Sequence, residues 1–111
     1  MNYIVFDLEW NQCPYGKGQE NERIPFEIIE IGAVKLNSER QIIDQYQVLI
    51  QPRVYKKLHH RTREIIQMDM KLLERKGIPF YRAVKEFLKW CGEDALFAAG
   101  AIPICWNYSE T

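Results

Sequence analysis

The chain has 111 residues, the size of one small domain. Hydrophobic residues make up 47% of it, which is typical of a globular protein and not of a disordered one. Fifteen basic and fifteen acidic residues give zero formal net charge, so a nucleic-acid-binding surface would have to be a local cluster of charge.

The cysteines and the apolar runs bear on where the protein resides. Cys13, Cys91 and Cys105 are odd in number and too widely spaced for a zinc motif or a disulfide framework. Reduced thiols in a cytoplasmic protein are the simplest interpretation. No apolar run approaches the ~18 residues of a membrane-spanning helix, and no signal peptide precedes the first strand, so no membrane partner is expected. The sequence predicts no oligomeric state.

The first predicted strand, residues 3–11, runs through apolar residues to two acids, Asp7 and Glu9. Because side chains alternate along a strand, both acids share one face, opposite to Ile4, Phe6 and Leu8. Neighbouring acids at the end of a buried strand repel each other and lose hydration, and a divalent cation such as Mg²⁺ would offset that cost. Alternatively, both acids lie beyond the end of the strand and are simply solvated.

Two further strands are predicted before the chain changes character. A polar loop over residues 10–25 leads to a strand over residues 27–36. A turn at residues 37–40 then leads to a third strand over residues 41–50. Three strands joined in this way favour an antiparallel meander.

A basic segment follows the third strand. Residues 53–63 contain two histidines, no acid and five cationic side chains: Arg53, Lys56, Lys57, Arg61 and Arg63. Such a run can contact phosphates, although it is more often a solvated connection.

Helices are predicted next. Thr62 is expected to cap a short helical turn, and Asp69 to cap a helix over residues 70–76 that ends at Gly77. A third helix follows Pro79 and runs to about residue 91. Its apolar periodicity predicts six core-facing residues: Phe80, Ala83, Val84, Phe87, Leu88 and Cys91.

A fourth strand begins at residues 95–98, after Gly92 ends the third helix. A helical crossover back into the same sheet predicts an α/β fold whose fourth strand is parallel to the first. Ligands of such sheets bind beyond the carboxyl ends of the strands. Asp7 and Glu9 lie there if the first strand is central, which favours the cation interpretation.

Two stretches in combination resemble a known family. Residues 5–11 (VFDLEWN), followed after a loop by residues 27–34 (EIIEIGAV), resemble the opening of DEDDh-type 3′–5′ exonucleases, in particular the KapD-like and Eri-like branch. The resemblance extends over residues 3–97. It implies a ribonuclease H-like mixed sheet of three antiparallel strands, then helices, then a parallel fourth strand.

The same resemblance implies a site and a substrate. Asp7 and Glu9 would be catalytic metal ligands, Leu8 and Trp10 would help to seat the terminal nucleotide, and the substrate would be the 3′ end of single-stranded DNA or RNA. Family members use two Mg²⁺ or Mn²⁺ ions ~3.5–4 Å apart. The aspartates of the family's second and third motifs, and the histidine that acts as general base, have no match here. The 111 residues are therefore expected to be inactive on their own.

The sequence departs from the family's pattern near its end, so residues 1–97 are predicted as part of an exonuclease domain and residues 98–111 as a tail. Read one nucleotide earlier, codons for residues 100–111 can encode Trp-Gly-Asp-Thr-Asp-Leu-Leu-Glu-Leu-Gln-Arg-Asn, which resembles the family's second motif. Our hypothesis is an out-of-frame continuation of an exonuclease gene, from a frameshift or a sequencing error.

Two alternatives stay open for the function of the chain: a non-catalytic module that binds nucleic acid or a protein through residues 53–63, and a gene remnant that folds poorly.

Overall fold

The computed structural model describes residues 1–16, 26–66 and 69–99. In chain order the elements are β1 (Asn2–Gln12), β2 (Phe26–Leu36), β3 (Ile42–Leu49), α1 (His60–Ile66), α2 (Met70–Lys76), α3 (Phe80–Cys91) and β4 (Ala95–Ala99). The strands form one sheet in the order β3-β2-β1-β4. Pairing is antiparallel between β1 and β2 and between β2 and β3, and parallel between β1 and β4. This confirms the predicted α/β sheet and its order of strands and helices.

Strand β1 is longer than predicted. Residues 10 and 11, where the predicted strand and loop overlap, and residue 12, expected in the loop, pair with residues 26–28 of β2, beyond a shift of register between Glu9 and Trp10. Asp7 and Glu9 therefore lie within a paired strand, and the interpretation that placed them beyond its end is wrong. Residues 17–25 of the predicted loop lie outside the described residues.

The main core lies between the sheet and α3. Ile4, Phe6 and Leu8 pack into it from β1, as the alternation of that strand predicts. Helix α3 contributes a stripe of three buried residues: Ala83, Phe87 and Cys91.

Two of the residues predicted to face the core are half-exposed. Leu88 has 53% of its surface accessible because it lies about 100° around the helix from Phe87, at the margin of the buried stripe. Phe80 is 48% exposed because it begins α3 and borders an open cavity. The prediction is therefore wrong for these two residues, while Val84 is partly buried.

The helix boundaries test the predicted caps. Asp69 accepts a hydrogen bond from the Leu72 amide at 2.8 Å, and Gly77 ends α2, as predicted. Thr62, however, is not a cap. It lies inside α1, and its hydroxyl donates to the Trp10 carbonyl at 3.1 Å. The side chain of Thr62 therefore links α1 to β1.

The remaining predictions concern membrane spans, the thiols, cytoplasmic location and the tail. No helix in the described ranges is long and apolar enough to cross a membrane. Cys13 and Cys91 are buried and free. Cytoplasmic location stays a prediction. Strand β4 continues to Ala99, and the rest of the tail, residues 100–111, lies outside the described residues.

Candidate functional site

Three carboxylates share the face of the sheet that points away from α3. Asp7 and Glu9 alternate with Leu8, which packs into the main core, so the two acids point to the other face. Glu30 lies directly opposite Glu9 in the β1–β2 pairing, and directly opposite residues point to the same face. Asp7 lies opposite Gly32, which has no side chain.

The electrostatics of this face reflect crowded negative charge. Burial raises the pKa of Glu9, and the charges of Asp7 and Glu30 raise it further. Burial also raises the pKa of Glu30; a hydrogen bond donated by Gln47 Nε2 opposes this rise, and Asp7 adds to it. Asp7 Oδ1 accepts the Leu8 amide at 3.0 Å. The described groups therefore leave the acids without a cationic partner.

The donor set of Asp7 and Glu9 fits a divalent cation. Carboxylate oxygens are the ligands that hard cations prefer, and a cation would offset both the burial and the neighbouring charges that raise the pKa of Glu9. Within residues 1–16, 26–66 and 69–99, however, no three acid, histidine or cysteine side chains converge to hold a metal ion. The described part of the site thus offers an incomplete set of ligands.

Leu8 and Trp10 occupy different surroundings. The Leu8 side chain packs into the main core, so only its main chain lies beside the acids. Trp10 is 47% exposed and follows the acids on β1. Its indole lines a cavity of about 410 Å³ together with Phe26, Phe80 and Tyr81, among other residues. The structure therefore brings Trp10, and not the side chain of Leu8, to a surface that a nucleotide could reach.

Solved exonuclease structures share this architecture. The nuclease domain of 3′hExo, a DEDDh family member bound to rAMP, matches with a TM-score of 0.66 and 20% identity, covering 88% of this chain and 50% of that chain. The cell-death related nuclease CRN-4 matches with a TM-score of 0.65 and 14% identity, covering 88% and 34%. This chain has the ribonuclease H-like fold of DEDDh exonucleases.

A third neighbour, E. coli exonuclease I in complex with a dT13 oligonucleotide, has a TM-score of 0.63 and 12% identity, covering 88% of this chain and 20% of that chain. No protein-family model and no curated protein matches the sequence. At identities of 12–20%, these likenesses establish the fold. The chain spans half or less of the length of each of these neighbours.

In this DEDDh-like fold the basic segment, residues 53–63, is fixed to the strand that carries the acids. The side chain of Asn11, fully buried on β1, accepts the His59 amide at 2.8 Å and donates to the Lys57 carbonyl at 3.1 Å. At the start of the segment, the Glu27 carboxylate accepts the amides of Arg53 and Val54 at 2.6 and 2.9 Å. The backbone of the segment is therefore anchored to β1 and β2, while its cationic side chains are exposed, as in a solvated connection.

Sequence reasoning missed three residues of this region: Glu30, Asn11 and Glu27. Glu30 is part of the motif that suggested the family, but its position beside Glu9 depends on strand register. Asn11 and Glu27 act through main-chain groups far along the chain, at separations of 46 and 26 residues respectively. The sequence offered one signal for these residues: Asn11 and Glu27 are polar residues at the ends of the apolar runs that form β1 and β2.

Proposed function

We propose that this chain supplies part of the site of a metal-dependent 3′–5′ exonuclease, in which Asp7 and Glu9 bind Mg²⁺ or Mn²⁺. The observation that carries the proposal is the acid pair on the central strand of a DEDDh exonuclease fold, with no described cation to balance it. The proposed substrate is the 3′ end of single-stranded DNA or RNA. The ligands of the solved neighbours, rAMP and dT13, support this class of substrate.

Each proposed site residue has a distinct role. A bound divalent cation would activate water and stabilise the leaving oxygen in phosphodiester hydrolysis. Asp7 and Glu9 hold that cation through their carboxylate oxygens. Trp10 offers a half-exposed ring on which the terminal base can stack. Leu8 contributes its main chain, because its side chain is committed to the core.

We further propose that the 111 residues bind cations weakly and do not hydrolyse nucleic acid when tested alone. Asp7 and Glu9 are the ligands that the family pattern matches, and no described histidine corresponds to the family's general base. His59 and His60 stack on each other at 4.2 Å between ring centroids, on the segment that precedes the helices.

Cation binding tests the proposed ligands directly. Titration of the chain with Mn²⁺ in a calorimeter should show weak binding that Asp7→Asn and Glu9→Gln each abolish. Glu39→Gln, which makes the same change of charge in an exposed turn, should leave it intact. Binding that all three variants share would remove the proposed site, and tight two-site binding would refute the proposed weakness.

A longer polypeptide tests the activity. We propose that a chain continued in the frame one nucleotide earlier, from about residue 100, carries the second motif and releases nucleotides from the 3′ end of a single-stranded oligonucleotide. Asp7→Ala should abolish that release. Sequencing of the locus comes first, because an early stop codon in the shifted frame would refute the frameshift hypothesis.

A further inference from the structure

We propose that residues 53–63 form a phosphate-binding strip that guides a nucleic-acid strand to the acid site. This inference rests on the proposed exonuclease function and adds the surface on which the substrate's backbone lies. The strip is defined by its five cationic side chains: Arg53, Lys56, Lys57, Arg61 and Arg63.

The charge of the strip is not neutralised by the described residues, although Lys57 Nζ lies 5.4 Å from the ring centroid of Tyr15. All five cationic side chains are exposed, and no acid occurs between residues 53 and 63. The ion pairs found among the described residues are Met1–Asp94 and Arg82–Glu86, so neither engages the strip. Because the chain has no net charge overall, this concentration of positive charge is local. A polyanion such as a nucleic-acid backbone complements it.

The strip is held in place by its own uncharged parts. Tyr55, Leu58 and Thr62 are buried, with 3–7% of their surface accessible, while the five charged residues of the strip are exposed. Leu58 packs with Ile29 and Leu73 in a second small core. A surface whose backbone is already ordered loses less entropy when it binds a ligand.

The position of the strip relates it to the acids. Asn11, which bonds to residues 57 and 59, follows Glu9 by two positions on β1, roughly 7 Å along the strand. The acid face itself repels phosphate, since Asp7, Glu9 and Glu30 are all anionic when ionised. A nucleic-acid strand whose 3′ end enters this site therefore needs attraction from nearby cations, and the strip, which is hydrogen-bonded to Asn11 of β1, provides it.

The test compares two matched pairs of lysines. K56Q/K57Q neutralises two residues of the strip, whereas K85Q/K89Q neutralises two exposed lysines on α3. Binding of a fluorescent single-stranded dT oligonucleotide to the full chain is measured by anisotropy over a range of NaCl concentrations. Each lost phosphate contact flattens the plot of log K against log [salt] by about 0.7 for a single strand. We expect a change of about 1.4 in the slope for K56Q/K57Q and no change for K85Q/K89Q.

Three results would overturn the proposal. The first is the same salt slope in K56Q/K57Q and K85Q/K89Q, and the second is no salt-dependent binding by the unmodified chain. The third is that K56Q/K57Q weakens attachment to phosphatidylserine vesicles but not binding of the oligonucleotide. Thermal unfolding of both double variants establishes that each is folded. Failure of the exonuclease proposal can be distinguished from failure of the strip. Strip-dependent binding of the oligonucleotide without Mn²⁺ binding at Asp7 would remove the metal site and keep the strip. Mn²⁺ binding at Asp7 with unchanged slopes would remove the strip alone.

Discussion

Glu9 and Glu30 lie directly opposite each other on neighbouring antiparallel strands. Like charges in this position destabilise a sheet, and burial adds to the cost by raising the pKa of both carboxyl groups. Groups with perturbed pKa values concentrate at functional sites, where stability is often lower than it could be. A cation bound at the proposed site of Asp7 and Glu9 would relieve this cost.

Removing one charge of this pair should stabilise the protein. We expect Glu30→Gln to raise the free energy of unfolding by about 0.2–1 kcal/mol at pH 7, because it removes a like charge across the strands and keeps an acceptor for Gln47. Urea unfolding measures the change. Glu39→Gln is the control, since Glu39 lies in an exposed turn. An equal gain in the control would show that the gain reflects net charge and not this pair.

The gain from Glu30→Gln should also depend on pH. The folded pKa of Glu30 is raised above the ordinary value of 4.5, so folding is disfavoured where the carboxyl group must be ionised. Below pH 4.5 the group is largely protonated in both states and the penalty is absent; the penalty grows as the pH rises through the folded pKa. The difference in unfolding free energy between Glu30→Gln and the unmodified chain should therefore be larger at pH 7 than at pH 4. A gain that is constant with pH would contradict this.

Asn11 provides the second prediction, because its buried side chain satisfies two main-chain groups of the basic segment. Asn11→Ala should lower the free energy of unfolding by about 1–3 kcal/mol, the cost of leaving buried polar groups unpaired. Gln45→Ala, at an exposed position on β3, should change it by less than about 0.5 kcal/mol. Hydrogen exchange at the His59 amide should accelerate in Asn11→Ala. Unchanged stability and exchange would show that the segment is held by other contacts.

The sheet, its pairing directions and the caps of α2 could be predicted from the sequence because they depend on local signals. Apolar, β-branched runs identify β1 and β2, and Asp69 and Gly77 mark the ends of α2 through hydrogen bonds to residues within one turn of the helix. The acids Asp7 and Glu9 could be found for the same reason, as they interrupt an apolar run.

The rest of the site depends on contacts that local patterns do not encode. The pairing of Glu9 with Glu30 requires the register of β1 on β2, which shifts just after Glu9. Thr62 has the residue type of a cap, but its hydroxyl bonds to Trp10, 52 residues away. Periodicity likewise located α3, but it does not give the width of the helix face that the sheet covers. Leu88 lies outside that face and is exposed.

Two glycines give the third prediction. A Cβ at Gly77 would clash with the Leu73 carbonyl oxygen and lie 2.6 Å from Gln51 N and 2.8 Å from Ile50 C. These are main-chain atoms, which cannot rotate away, so Gly77→Ala should lower the free energy of unfolding by about 1–3 kcal/mol. At Gly32 nothing lies within 4 Å of the position that a methyl group would take, so Gly32→Ala should be neutral or stabilising by up to about 1 kcal/mol.

Thermal unfolding separates the two glycine variants. A change of 1 kcal/mol shifts the midpoint by roughly 4–8 °C in a domain of about this size. Gly77→Ala should therefore melt well below the unmodified chain, and Gly32→Ala at or above it. Equal midpoints would show that the close approach of α2 to residues 50–51 can relax.

The last prediction concerns the hydrogen bond that links β3 to α3. Trp90 Nε1 donates to Asp44 Oδ2 at 2.9 Å, and this bond is the main cause that lowers the pKa of Asp44 below its ordinary value of 3.8. A lowered folded pKa contributes stability above pH 3.8, and that contribution is lost as the pH falls through the folded pKa. Trp90→Phe removes the donor, so the pKa of Asp44 in the folded state should rise toward 3.8. Carboxyl-carbon NMR titration measures it.

The loss of ring packing in Trp90→Phe must be separated from the loss of the hydrogen bond. Trp90 also packs against Tyr46, with 5.2 Å between ring centroids, and that packing loss does not depend on the ionisation of Asp44. Comparing Trp90→Phe in the unmodified chain and in an Asp44→Asn background at pH 7 and pH 3 isolates the ionic part. The destabilisation should be greater at pH 7 than at pH 3 only where Asp44 is present. The same pH dependence in both backgrounds would assign it to another group.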